Sequence, residues 1–205
     1  MSRSGFAKPS KISALAGSAA ILFAAGAPAQ TASSPALERP ALASAMEECE
    51  TGARQGVLTG RALGACDVAL RSDALSDSVR ARVLVNRGVI ALARNEAGPA
   101  RSDLEEAVSL APDLAEAWLS LSAARIKACD LSGAVEAANQ ALELQVEDPA
   151  FAHFNIAIAE ETAGRYDTAY EAYVRAAELA PDNALIQAQP ARFLRHQSGG
   201  AQPAG

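Results

Sequence analysis

Cysteine, histidine and clustered carboxylates are the side chains through which this sequence could do chemistry. It has three cysteines, Cys49, Cys66 and Cys129, and two histidines, His153 and His196. At most two of three thiols can pair, which leaves one over. A redox role would want a close partner cysteine, yet no C-x-x-C occurs, and Cys129 stands far along the chain from the other two. Neither histidine has a second His or Cys at ligand spacing, so no metal site is expected. Carboxylates cluster at Glu47-Glu48-Glu50, Glu105-Glu106 and Glu160-Glu161. Each cluster falls in a helical pattern, where adjacent residues point in different directions, which suits a solvated face better than an acid/base pair. Nucleophile-elbow, phosphate-loop and dinucleotide-binding glycine motifs are all missing. These residues predict no catalysis, no cofactor and no metal.

The elements that carry them read as helices throughout. Half of the 205 residues are hydrophobic but only 4% are aromatic, and the mean hydropathy is +0.05. Much of the apolar content is therefore alanine, the strongest helix former and the smallest apolar side chain. Apolar residues recur at three- and four-residue spacing over 81–94, 100–110, 115–128, 133–144, 151–163 and 167–180. Breaks fall at Gly98-Pro99, Pro112-Asp113, Asp130, Asp148-Pro149, Gly164 and Pro181-Asp182, residues that cap or end helices. No period-two alternation is sustained, so no sheet is expected. The net charge is −6 and the pI about 5.0, which disfavours nucleic acid as a partner.

The first residues have a different composition. Arg3, Lys8 and Lys11 precede a small, apolar run over 12–29 that ends Ala27-Pro28-Ala29, and no acid appears before Glu38. A basic start, an apolar centre and a small-x-small exit predict a secretory signal over 1–29, cleaved near Ala29. An uncleaved anchor is the alternative, although Gly17, Gly26 and Pro28 interrupt the run. Contact with the membrane is then transient, and the mature chain is periplasmic or secreted. Removal of 1–29 leaves 15 basic and 24 acidic residues, a net charge of −9. Residues 30–40 read as a linker and 197–205 as a disordered tail, both rich in small and polar residues.

Repetition is the main signal. Pro112 and Pro181 each close an L-A-P-D turn, 69 residues apart, which is two units of about 34 with one residue over. In 81–114, Gly88, Ala100, Ala107 and Pro112 fall in phase. In 115–148, Trp118, Leu121, Ser122, Ala134 and Ala141 take the matching places, with Pro149 replacing the usual closing proline. In 149–182 the series is Ile156, Ala157, Gly164, Tyr166, Ala169, Tyr173, Ala176 and Pro181. This pattern resembles the tetratricopeptide repeat (TPR) family. The resemblance implies an all-α fold, an α-solenoid of antiparallel helix pairs. Residues 41–74 read as a divergent helix pair ahead of the three units, and 183–196 as a capping helix bent at Pro190.

In such arrays the first helix of each unit lines the concave face, where partner segments dock. The resemblance places there Asn86, Val89 and Ala93 from the first clear unit, Ser120, Ala123 and Lys127 from the second, and Phe151, Asn155, Ile158 and Thr162 from the third. It implies a non-catalytic adaptor or scaffold for another protein or peptide segment. A structural protein that self-associates into a homo-oligomer through its end helices is the alternative. The set of basic residues that a carboxylate-clamp repeat uses is not evident here. In the divergent pair, Cys49 and Cys66 fall on facing helices at core height. A bridge would staple a hairpin poor in large core residues and contribute about 3 kcal/mol. Two buried thiols acting as small hydrophobes are the other possibility, and an oxidising compartment favours the bridge.

Overall fold

The computed structural model describes residues 39–56 and 60–199. The expected signal, the linker up to residue 38 and the last six residues lie outside them. The described residues form helices and no strands. These are α1 (Arg39–Gln55), α2 (Gly60–Leu70), α3 (Asp77–Ala93), α4 (Ala97–Leu110), α5 (Ala115–Lys127), α6 (Leu131–Glu143), α7 (Pro149–Thr162), α8 (Tyr166–Leu179), α9 (Ala184–Gln187) and α10 (Gln189–Gly199). The architecture is an α-solenoid of antiparallel pairs: α1–α2, α3–α4, α5–α6 and α7–α8, followed by the short α9 and the capping α10.

Helix starts follow from side chains that accept orphan amides. Ser76 accepts from the Val79 amide, Asp130 from Gly133, and Asn183 from both Leu185 and Ile186. Proline opens α7, where its missing N–H costs nothing. Helix ends share one device. After α3, α5, α6 and α7 a single residue turns left-handed: Asn95 (φ 63°), Cys129 (φ 59°), Gln145 (φ 58°) and Gly164 (φ 76°). At each, the following amide reaches back five residues, as in Glu96 to Ala91 and Asp130 to Arg125, both at 2.9 Å. The second helices α4 and α8 stop instead at Ala111-Pro112 and Ala180-Pro181.

Alanine sets the packing distance between helices. Ala100, Ala107, Ala137, Ala141, Ala169 and Ala176 are all fully buried, and Leu84, Leu104, Leu121 and Tyr173 fill the space left between backbones. Gly88 is required by one such approach, because a Cβ there would stand 2.8 Å from Leu104 Cγ. Trp118 reaches back to donate its Nε1–H to the Pro112 carbonyl at 2.9 Å, tying one unit to the next. Successive first helices touch one another, α1 with α3, α3 with α5 and α5 with α7, whereas successive second helices make no comparable contact. The array therefore curves with the first helices on its inner side.

Several boundaries differ from the sequence expectation: α3 begins at Asp77 rather than 81, capped by Ser76, and the expected break at Gly98-Pro99 lies inside the first turn of α4, where proline is tolerated. Helix α1 takes in Arg39 and Pro40 from the end of the expected linker, since proline is tolerated in a first turn. Helix α10 runs through Gly199, so residues 197–199 of the expected tail are helical, no helix breaker intervening before the paired glycines at 199–200. The cap is split into α9 and α10, with Pro190 in the first turn of the latter. Phe193 anchors α10, buried against the rings of Tyr166, Tyr170 and Tyr173 with centroids 5.9–6.3 Å away.

Candidate functional site

A groove of about 580 Å³ opens on the inner face where α1, α3 and the start of α5 meet. Met46 of α1, Val79, Val83 and Val85 of α3, and Leu114 before α5 give it an apolar lining. Glu50, Arg82, Asn86 and Glu116 add polar groups. Glu50 accepts from Arg54 at 3.1 Å. Arg82, by contrast, is exposed and pairs with no carboxylate among the described residues, and the Asn86 amide makes no hydrogen bond among them. The groove thus offers apolar contact, a free guanidinium and a free amide that can both donate and accept. Its polar groups stand on helices and form no nucleophile–base pair.

Of the ten candidate residues, Asn86 lines this groove. Val89 is half-buried and Ala93 exposed further along α3. Ser120 and Ala123 are half-buried on α5, where Lys127 is exposed and donates to Asn95 Oδ1 at 3.1 Å. Phe151 is 41% exposed in the first turn of α7. Asn155 spends its amide inside the array, donating to Ser122 Oγ at 2.6 Å and to the Leu119 carbonyl at 3.4 Å. Ile158 packs on the cluster around Tyr173, and the Thr162 hydroxyl donates to the Ile158 carbonyl at 2.7 Å. The candidates are spread over three helices and share no one pocket. Met46, Arg82 and Leu114 were missed: they belong to the divergent hairpin, to a solvent-facing position and to a connection, none of which repeats with the family's period.

Cys49 and Cys66 are bridged, both fully buried, with Cα atoms 4.9 Å apart. Cys129 is free and exposed. The bridge stands between Met46 and Glu50 on α1 and packs against α3 beside Val83. Below the groove, Arg87 of α3 donates to Asp103 of α4 through two bonds of 2.7 and 2.8 Å, and to Asp67 of α2 at 2.8 Å. Its bonds to Asp103 and Asp67 outweigh desolvation and raise its pKa. One guanidinium so joins three helices and fixes the divergent hairpin to the first clear unit.

A second polar cluster holds the far end. Glu161 accepts from the Tyr173 hydroxyl at 2.6 Å and from Arg192 of α10 at 2.9 Å. Burial opposes its ionisation, but these two donors prevail and hold the carboxyl below the usual range. Burial, reinforced by the bond to Glu161, pushes the Tyr173 phenol up. Glu160 is likewise held low, first by Arg165. His153 is half-buried, and desolvation, with Arg175 nearby, lowers its pKa, so it is neutral at pH 7. Among the described residues no three His, Cys, Asp or Glu gather as metal ligands would. Both clusters serve packing and leave the groove as the candidate site.

Comparison with known proteins bears on this geometry. Residues 150–183 match the tetratricopeptide repeat family model. A search of the curated proteins gave no match. Among solved structures, the Arabidopsis OM64 TPR domain is 21% identical with a TM-score of 0.54, covering 58% of this chain and 98% of its own. A crystal structure of MamA is 20% identical with a TM-score of 0.60, covering 77% and 83%. The first TPR domain of human RPAP3 is 16% identical with a TM-score of 0.54, covering 61% and 98%. At such identities the likeness is one of fold. The chain thus carries a tetratricopeptide repeat at residues 150–183, within a solenoid of like helix pairs that shares the fold of these TPR structures.

Proposed function

We propose that this protein is a non-catalytic adaptor or scaffold of the cell envelope that holds a segment of another protein on the inner face of its solenoid. The observation that carries the reading is the groove of α1, α3 and α5, whose apolar lining is joined by Arg82 and Asn86 with no partner of their own among the described residues. An extended or helical segment with an aliphatic side chain would fill the lining, while its backbone or a carboxylate would meet the amide and guanidinium. Export of the mature chain rests on the signal-like pattern of residues 1–29. None of the described helices is long and apolar enough to cross a membrane. The test is photo-crosslinking in producing cells, with a benzophenone amino acid at position 86 or at exposed position 106 on α4. Adducts of defined mass with another protein from 86 and none from 106 are expected. Equal adducts from both positions, or none from 86, would refute the reading.

Self-association is the second reading, and the exposed apolar residues at the far end favour it. Leu185 is 64% exposed, and Tyr166 and Leu194 are each 49% exposed. Sedimentation over a hundredfold concentration range would show a rising mass. A constant monomer mass would remove this reading.

A further inference from the structure

We infer that the groove has an oxidation-gated wall: it is formed when Cys49 and Cys66 are bridged and is lost when they are thiols. The inference rests on the groove proposed above as the binding site and concerns its regulation.

Position comes first. Met46 and Glu50, the α1 contribution to the groove, are one helical turn apart, with Cys49 between them. The wall therefore moves with the segment of α1 that the bridge holds. Apart from the bridge, α1 and α2 are held by side chains that are only partly buried, Leu42, Met46, Leu63, Val68 and Leu70, packed with Val83 and Ile90 of α3, and by the Arg87–Asp67 pair. Among the described residues, the fully buried large side chains are Tyr173, Leu84, Ile90, Leu104, Leu121 and Ile186, all in α3 or later, while in α1 and α2 the two cysteines join that class. The remaining buried apolar residues of the hairpin are alanines at 45, 62, 65 and 69. Alanines and partly buried side chains bury less surface against the entropy of ordering the pair than the fully buried leucines of the later units do. Gly52 adds to the problem: it permits contact with Ala62, but it weakens α1 as an isolated helix. The cross-link removes conformations from the open hairpin and so supplies what the core lacks.

The switching step is thiol–disulfide exchange with a dithiol reductant. One reductant thiolate attacks a sulfur of the bridge, and the S–S bond breaks to give a mixed disulfide and one thiolate on this chain. The second reductant thiol displaces the mixed disulfide. Two electrons and two protons pass to Cys49 and Cys66, and the reductant leaves as a disulfide. Burial of both sulfurs shields the closed form, so reduction requires the hairpin to open first. A chain not yet oxidised would lack the wall, and its groove would assemble only where disulfides form.

The test is amide hydrogen exchange followed by mass spectrometry on the purified full-length chain, oxidised and after dithiothreitol. A Cys49→Ala/Cys66→Ala variant supplies the unbridged state even if the buried bond resists reduction. Expected is a loss of protection of about two orders of magnitude in α1, α2 and the 79–86 segment of α3, with α5–α8 unchanged. Equal protection of α1 and α2 in bridged and unbridged forms overturns the inference, as does loss of protection in all helices together. Because the readout needs no partner, it is independent of the crosslinking result. A groove that opens and closes yet yields no adduct would sink the adaptor reading alone.

Discussion

Replacing Cys129 by glycine should stabilise this protein. Cys129 follows α5 at φ 59°, a left-handed conformation that costs a residue with a Cβ about 1–2 kcal/mol. Its side chain is exposed and unbridged, so truncation forfeits no buried contact. Glycine relieves the backbone but widens the unfolded ensemble, at a cost of about 0.4–1 kcal/mol. The net gain is about 0.5–1 kcal/mol, or about 1–4 °C in Tm for a domain of this size. The reverse change is available two helices on. Gly164 stands at φ 76° in the same turn of the following unit, with open space around a built Cβ, so Gly164→Ala meets only the backbone penalty and should cost about 1 kcal/mol. Urea unfolding followed by far-UV circular dichroism measures both variants on one scale. Opposite shifts of the midpoint are expected. If Cys129→Gly leaves the midpoint unmoved or lowers it while Gly164→Ala is silent, the assignment of stability to these left-handed residues is wrong.

Gly88→Ala should cost about 1–2 kcal/mol. Its Cβ would stand 2.8 Å from Leu104 Cγ, within a fully buried α3–α4 contact, which outweighs the gain in helix propensity; the urea midpoint reads it. Arg87→Met should cost about 2 kcal/mol, because Asp103 stays buried without a partner, and Arg87→Met with Asp103→Leu should recover part of the loss in a double-mutant cycle. Acid should destabilise the far end in two windows. His153 has a folded pKa below its ordinary value of 6.5, so the unfolded chain binds more protons and stability falls as pH drops below about 6.5; His153→Gln should flatten that part of a pH–stability curve. Glu161, also held below its ordinary value of 4.5, contributes stability that is complete above that value and lost as pH falls through its folded pKa. Tyr173→Phe should shrink that loss.

The repeat units were readable because close packing leaves a periodic trace. Small residues must recur wherever two backbones approach, and Gly88, Ala100, Ala107, Ala169 and Ala176 are where that trace predicts. The left-handed turns were also within reach, since Asn95, Cys129 and Gly164 stand at corresponding places of successive units. The groove was not. It depends on how a non-repeating hairpin leans on α3, and its lining mixes Met46, an exposed arginine and a connecting leucine that answer to no common period. Asn155 and Asn86 show the same limit from the other side. They occupy like positions two units apart, on α3 and α7, yet one amide is spent on Ser122 and the other faces the groove. Only the neighbouring helix decides which, and in each unit that neighbour differs.

The lopsided contacts between helices have a mechanical consequence. First helices touch one another along the inside, while successive outer helices make no comparable contact and pack on the neighbouring first helices instead. Opening the coil compresses little on the outside and slides one first helix on the next, so the molecule should bend more readily than it shears. It is in effect a short leaf spring. A pull on the two ends would be met at the first hairpin by a covalent tie, the Cys49–Cys66 bond, where the later pairs have only packing and hydrogen bonds between their helices.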